Sequence, residues 1–152
     1  MHDLPRKLSV DELARLFEGR TRFIERLAGC ENPLAAARAL LLRLPEDEQL
    51  EALNKHPRIG DRALSAASAR DQGGPEDPAV LAELARLNRA YEEKFGFRFV
   101  VFVNRRPKAE IVRVLRERLR RPRHEEMATA FDELVAIAED RYRRHLSATG
   151  LE

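Results

Sequence analysis

A histidine on a proline-restrained loop is the residue of this sequence best suited to move a proton. His56 precedes Pro57, and Gly60 follows three residues after the proline. Proline fixes its own φ and biases the preceding residue toward an extended conformation, so the direction of the imidazole is restricted. Histidine can donate and accept protons near neutral pH. The loop therefore indicates general acid or base catalysis, although most histidines in proteins are surface or capping groups.

A second polar group follows twelve to sixteen residues later. Ser68, Asp71 and Gln72 place a hydroxyl, a carboxylate and an amide within about one helical turn. Ser68 and Asp71 are three residues apart and share one face of a helix, whereas Gln72 does not. All three side chains therefore reach one ligand only if it lies across the helix end. Taken by themselves, Ser68 and Asp71 are better explained as a helix cap and a solvated acid.

The cysteine and histidine spacing argues against a disulfide framework and against a metal site. Cys30 is the single cysteine, and His56, His124 and His145 lie in unrelated segments without a zinc-binding spacing.

The first residues are polar, and no apolar run approaches the length of a membrane-spanning helix. We therefore expect a soluble cytoplasmic protein that makes no membrane contact.

Helix start and stop signals recur along the 152 residues and predict an all-α fold. Ser9 and Glu12 have the spacing of a capping box, Thr21 can cap the next helix, and prolines open several others. We predict one domain over residues 1–152, a bundle of about seven to eight helices with one buried extended segment. The predicted helices cover about residues 9–19, 21–29, 33–44, 45–54, 65–72, 78–96, 107–121 and 124–146.

Residues 97–103 interrupt the helical pattern. The run Phe97-Arg98-Phe99-Val100-Val101-Phe102-Val103 is aromatic and β-branched, which favours a strand. No other segment offers a convincing partner strand, and an isolated strand leaves backbone groups unpaired. A buried extended segment whose amides and carbonyls face a ligand resolves this conflict. A short core helix fits the apolar run equally well.

Arg141 continues the apolar stripe of the last predicted helix, which contains Phe131, Leu134 and Ala138. A guanidinium on an inward face needs a partner. A planar ligand that bears a carboxylate suits its fork of donors. An internal ion pair, or a charge that snorkels at the helix end, explains the position about equally well.

A basic run supports a competing hypothesis, a nucleic-acid-binding module. Residues 104–123 contain nine Lys and Arg but only two acids, although the whole chain has a net charge of only +2. The acid-rich last helix is positioned to neutralise this run, and no aromatics interleave with the arginines as a stacking surface requires. We therefore expect no nucleic-acid partner. A helical protein-interaction module is the third possibility, and it gives His56 no role.

Three motifs, taken in order, resemble the OHCU decarboxylases, the 2-oxo-4-hydroxy-4-carboxy-5-ureidoimidazoline decarboxylases of urate degradation. They are His56-Pro57-Arg58-Ile59-Gly60, then Ser68-x-x-Asp71-Gln72, then Leu87-Asn88 with Tyr91-x-x-Lys94-Phe95-Gly96-Phe97-Arg98-Phe99-Val100. The likeness extends over about residues 9–146. It implies an all-α carboxy-lyase, a homodimer that needs no cofactor, which releases CO2 from this ureidoimidazoline and forms (S)-allantoin.

The resemblance also implies roles for individual residues. His56 and Asp71 take the catalytic positions. Substrate contacts are implied for Pro57, Ser68, Gln72, Arg141 and the segment Phe99, Val100, Val101, Phe102 and Val103. The chain departs from the usual family pattern by Asp71 in place of glutamate, Arg98 in place of proline and Phe23 in place of tryptophan. The shorter carboxylate of Asp71 bears on efficiency or on the identity of the substrate, and not on the fold.

Overall fold

A computed structural model describes residues 7–59 and 77–149 of this chain, with residues 145–149 described by their backbone alone. The described residues contain seven α-helices. They are α1 (Val10–Phe17), α2 (Arg22–Leu27), α3 (Pro33–Arg43), α4 (Glu46–Asn54), α5 (Pro78–Phe95), α6 (Lys108–Arg118) and α7 (Arg123–Thr149). Within these two ranges there is no β-strand. The all-α prediction is confirmed, and the helix predicted at 65–72 lies outside the described residues.

The capping signals read from the sequence form the hydrogen bonds expected of them. The Ser9 hydroxyl accepts from the Glu12 amide at 3.1 Å, and the Glu12 carboxylate accepts from the Ser9 amide at 2.9 Å. The Thr21 hydroxyl likewise accepts from the Ile24 amide at 3.3 Å. Caps of this kind contribute about 1 kcal/mol each. Pro45 was predicted inside a first turn but lies one position earlier, at the N-cap of α4.

The core lies where α7 packs against α1, α3 and α4, with α2 wedged among α1, α3 and α4. The predicted apolar stripe of α7 is fully inside, since Phe131, Leu134 and Ala138 are at most 1% exposed. Burial of each large apolar side chain contributes roughly 1.5–3 kcal/mol. Because the same stripe continues to Arg141, α7 carries this guanidinium into the interior.

Residues 97–103, the interior segment, connect α5 to α6 and are neither helix nor strand. The alternative of a short core helix is therefore wrong. Gly96 ends α5 with a φ of 81°, a left-handed conformation that glycine adopts without steric cost, and this turns the chain inward. Phe97 and Phe99 then pack edge-on against the Tyr91 ring, at centroid distances of 5.8 and 5.3 Å. The burial of these rings keeps the segment inside the bundle.

Candidate active site

His56 lies two residues beyond the end of α4, on a loop that is held to the interior segment. The Arg98 amide donates to Asn54 Oδ1 at 2.9 Å, and the Arg98 guanidinium donates to the His56 carbonyl at 3.1 Å. The His56 amide donates back to the Leu53 carbonyl at 3.3 Å. His56 is 5% exposed. The backbone of His56 is thus fixed both by α4, which precedes it, and by the interior segment.

The other side of the loop is tied to α5. Arg58 makes a two-pronged ion pair with Glu92, with N···O distances of 2.6 and 3.0 Å. The Asn88 side-chain amide donates to the Ile59 carbonyl at 3.4 Å. A bidentate guanidinium–carboxylate pair restricts orientation as well as distance. The residues on either side of His56 and Pro57 are therefore anchored before any ligand arrives.

A cleft opens between this loop, the interior segment and α7. Its walls are formed by His56, Pro57, Ile59, Phe99, Val100, Val101, Phe102, Val103, Ile137 and Arg141. An imidazole and a guanidinium among mostly apolar walls are typical of a small-molecule site. Every predicted site residue within the described ranges lines this cleft.

Arg141 lies at the cleft wall and has internal partners, as the ion-pair interpretation expects, whereas its contact with a substrate stays a prediction. Its Nη1 donates to the Leu16 carbonyl at 3.1 Å, and its Nη2 lies 3.5 Å from Glu18 Oε1. The guanidinium is buried, at 6% side-chain exposure. The contact with Leu16, in the last turn of α1, restricts the orientation of the guanidinium.

Three predicted site residues, Ser68, Asp71 and Gln72, lie outside the described residues, so their roles remain predictions. In the described ranges no group of three or more His, Cys, Asp or Glu side chains is arranged to hold a metal ion. A search of the same residues finds no helix with the length and apolar character needed to cross a membrane.

Among the described residues, four of the nine basic side chains in residues 104–123 form ion pairs with carboxylates outside this run. Arg118 and Arg121 pair with Glu126 of α7, and Arg121 also lies 3.6 Å from Glu125. The other pairs join different helices: Arg116 with Glu83 of α5 and Arg123 with Glu46 of α4. The expected neutralisation by α7 is confirmed for two arginines, and α4 and α5 each supply a carboxylate for one more.

Glu83 shows the electrostatic effect of such pairing. Hydrogen bonds from Arg86 and Arg116 lower its pKa from 4.5 to about 2. Arg86 Nη2 and Glu83 Oε2 are 2.7 Å apart, and Arg116 reaches the same oxygen at 2.5 Å. One carboxylate thus compensates two guanidinium groups, which reduces the positive surface available to a polyanion.

Sequence reasoning missed several residues that shape the site. Ile59 and Ile137 line the cleft, and Glu92 and Asn88 anchor the His56 loop. Asn88 carried a detectable signal, because it is polar yet follows Leu87 on the apolar side of α5 and is 2% exposed. The partner of Arg58 had no comparable signal, since ion pairs between distant helices leave no local pattern.

The fold and the cleft define a class of protein: a helical domain with a small-molecule site built around a buried histidine, a non-helical backbone segment and a buried arginine. Residues 2–143 match the sequence profile of the OHCU decarboxylase family. Because this match covers nearly the whole chain, the chain belongs to the OHCU decarboxylase family. The predicted family is confirmed.

Individual relatives agree with this assignment. The chain is 30% identical over 151 residues to a 2-oxo-4-hydroxy-4-carboxy-5-ureidoimidazoline decarboxylase of Haloferax volcanii, covering 91% of this chain and 89% of that protein. It is also 32% identical over 101 residues to a uric acid degradation bifunctional protein of a Bacillus species. That match covers 61% of this chain and 20% of the Bacillus protein. A crystal structure of an OHCU decarboxylase in the presence of (S)-allantoin superposes with a TM-score of 0.74 at 25% identity, covering 90% of this chain and 98% of that one.

Proposed function

We propose that this protein converts 2-oxo-4-hydroxy-4-carboxy-5-ureidoimidazoline to (S)-allantoin and CO2 in urate degradation. The observation that carries the proposal is the cleft itself. It joins His56, the interior segment and Arg141, which come from three separate parts of the sequence. Family membership over residues 2–143 supports the same reaction.

The chemistry of decarboxylation fits this set of groups. Loss of CO2 leaves an electron pair that flows into the adjacent C=N and carbonyl groups of the substrate. The protein stabilises the growing charge with aimed donors and delivers a proton to one face of the product. We assign proton transfer to His56, which lies at the cleft wall, and a well-positioned acid or base contributes about 10²- to 10⁴-fold in rate.

Arg141 binds the substrate in this proposal. A guanidinium has five donors in a rigid fork, and it suits a carboxylate or a planar ureide oxygen. The Leu16 carbonyl holds one nitrogen of the fork, and the nearby Glu18 offsets part of its charge. A site that binds and then releases a carboxyl group is served by a positive charge of moderate strength.

We assign Asp71 the role of the acidic catalytic partner of His56, and Pro57, Ser68 and Gln72 the role of substrate contacts. These roles follow from the family motif that they match. We further propose that the protein is a cytoplasmic homodimer that works without a cofactor. Sedimentation equilibrium checks the oligomeric state, and full turnover after extensive dialysis against a chelator checks the absence of a metal requirement.

The proposed function is tested with freshly generated substrate. Spontaneous decay gives both enantiomers of allantoin, because water protonates either face of the planar intermediate. The protein is expected to accelerate CO2 release over the blank and to produce the circular dichroism signal of (S)-allantoin alone. Racemic allantoin, formed at the rate of the blank, would contradict the proposal.

A further inference from the structure

Between Arg98 and Phe102 the backbone hydrogen bonds of the interior segment alternate along the chain. At the end of the segment the Val103 carbonyl instead accepts from the Arg106 amide and guanidinium, which closes a turn. Three groups on even-numbered residues bond to side chains of other elements: the Arg98 amide to Asn54 at 2.9 Å, the Val100 carbonyl to Arg118 at 2.8 Å and the Phe102 amide to Glu133 at 3.0 Å. Among the described residues, none forms a hydrogen bond with the backbone of Phe99 or Val101.

This alternation has a geometric cause. In an extended chain the amide and carbonyl of one residue point to one edge, and those of the next residue point to the opposite edge. Side chains occupy the even-numbered edge, where a sheet would place a neighbouring strand. The odd-numbered edge, with Phe99 and Val101, belongs to a stretch that lines the cleft. The segment therefore resembles an edge strand whose second edge, at Phe99 and Val101, has no hydrogen-bond partner among the described residues.

Arg118, which holds the even-numbered edge at Val100, is itself fixed by buried partners. Arg118 is 7% exposed at its side chain, bonds to the fully buried Glu126 and lies with its guanidinium 4.7 Å from the centroid of the Phe99 ring. The Tyr91 hydroxyl donates to Glu126 Oε1 at 2.6 Å. Burial raises the pKa of Tyr91, so this hydroxyl stays a donor throughout the physiological range.

We propose that Arg118 and Glu133 are positioning residues for substrate binding. They hold the even-numbered edge, so the Val101 amide and carbonyl face the cleft as an adjacent donor and acceptor. That pair complements the adjacent N–H and C=O groups of a cyclic ureide. The identity of this ligand rests on the proposed function, whereas the arrangement of the edge rests on the hydrogen bonds alone.

Glu133 offers a matched pair of variants, because its contact with the Phe102 amide needs only an acceptor oxygen. Glu133→Gln keeps that oxygen, and Glu133→Met removes it while retaining a good helix former. The probe is (S)-allantoin, titrated calorimetrically against each purified full-length variant. Glu133→Met is expected to weaken binding about tenfold, the effect of one misaligned hydrogen bond, and Glu133→Gln less than about threefold.

A positioning role is separated from a merely structural one by two further measurements. In saturating (S)-allantoin, protection of the Val101 amide from hydrogen exchange should be weaker in Glu133→Met than in Glu133→Gln, while the thermal midpoints of the two variants stay close. Steady-state kinetics should show KM rising more than kcat falls, since the misaligned contact serves substrate and transition state alike.

Arg118 is tested in a variant designed to remain folded. Replacing a buried ion pair by apolar residues of similar size is often neutral for stability, so Arg118→Met is combined with Glu126→Met and Tyr91→Phe. The folded triple variant is expected to bind (S)-allantoin about tenfold more weakly. The inference is overturned if this variant and Glu133→Met both bind (S)-allantoin as tightly as the wild type does. It is also overturned if the wild type does not bind (S)-allantoin at millimolar concentration. Because binding is measured without turnover, failure of the decarboxylation assay is a separate result.

Discussion

Removing the Arg118 guanidinium alone should destabilise this protein more than any surface ion-pair change. The perturbation is Arg118→Met, which keeps the apolar stem and deletes the charge. Glu126 is then left at 0% exposure with the Tyr91 hydroxyl and a long, 3.4 Å contact to Arg121 as its remaining partners. The Val100 carbonyl also loses its donor.

The expected loss follows from this burial. Breaking a buried pair by removing one partner costs about 3–5 kcal/mol, because the other charge stays uncompensated. Urea unfolding has a slope of roughly 1–3 kcal/mol per molar for small proteins, so the midpoint should fall by about 2 M. The chain contains no tryptophan, and helical circular dichroism therefore serves as the probe.

Arg116→Met is the matched control, since Arg116 lies on the same helix and also pairs with a carboxylate but is 53% exposed at its side chain. Exposed pairs contribute little, so its midpoint should stay close to that of the wild type. If Arg118→Met loses less than about 1 kcal/mol, the buried network is not the stabilising element inferred here, and the reasoning from burial fails.

Three further predictions follow from other parts of the molecule. The pKa of Glu83 is lowered to about 2, so its ion pairs stabilise the fold fully above the ordinary pKa of 4.5, and this stabilisation is lost as the pH falls toward 2. The thermal midpoint of Glu83→Gln should therefore approach that of the wild type between pH 4.5 and pH 2. A difference between the two midpoints that does not change with pH would contradict the assignment. Asp71→Asn should lower kcat far more than Asp71→Glu, because it loses the charge and the ability to accept a proton; full activity in Asp71→Asn would make Asp71 a solvated acid. The Kd for duplex DNA, measured by fluorescence anisotropy at physiological salt, should lie no lower than the non-specific range of about 10⁻⁴ to 10⁻⁶ M. Sequence-selective binding with a nanomolar Kd would refute the inference that the basic run has no nucleic-acid partner.

Local signals in the sequence predicted most of the helices and much of the cleft. Capping at Ser9 and Thr21 depends on neighbouring residues, so a single sequence contains the needed information. The inward position of Arg141 was predictable for the same reason, because helical periodicity places it on the stripe of Phe131 and Leu134.

The parts that escaped prediction depend on contacts between distant elements. Propensity alone did not decide between a helix and an extended path for residues 97–103, since the choice rests on side chains of Arg118 and Glu133 that replace a sheet partner. The shared carboxylate of Glu126 likewise joins α5, α6 and α7 and has no local pattern. Only the folded chain brings these groups together.

The central claim, that His56 in this cleft carries a stereoselective decarboxylation, is tested most directly by His56→Asn. This substitution keeps a polar side chain of similar size but removes the acid or base. His124→Asn is the control, because His124 is 83% exposed at its side chain and lies outside the cleft. With the helical spectrum and thermal midpoint retained, kcat of His56→Asn is expected to fall at least about a hundredfold, while His124→Asn keeps wild-type turnover and yields (S)-allantoin. Near-normal turnover to (S)-allantoin by folded His56→Asn would contradict the account.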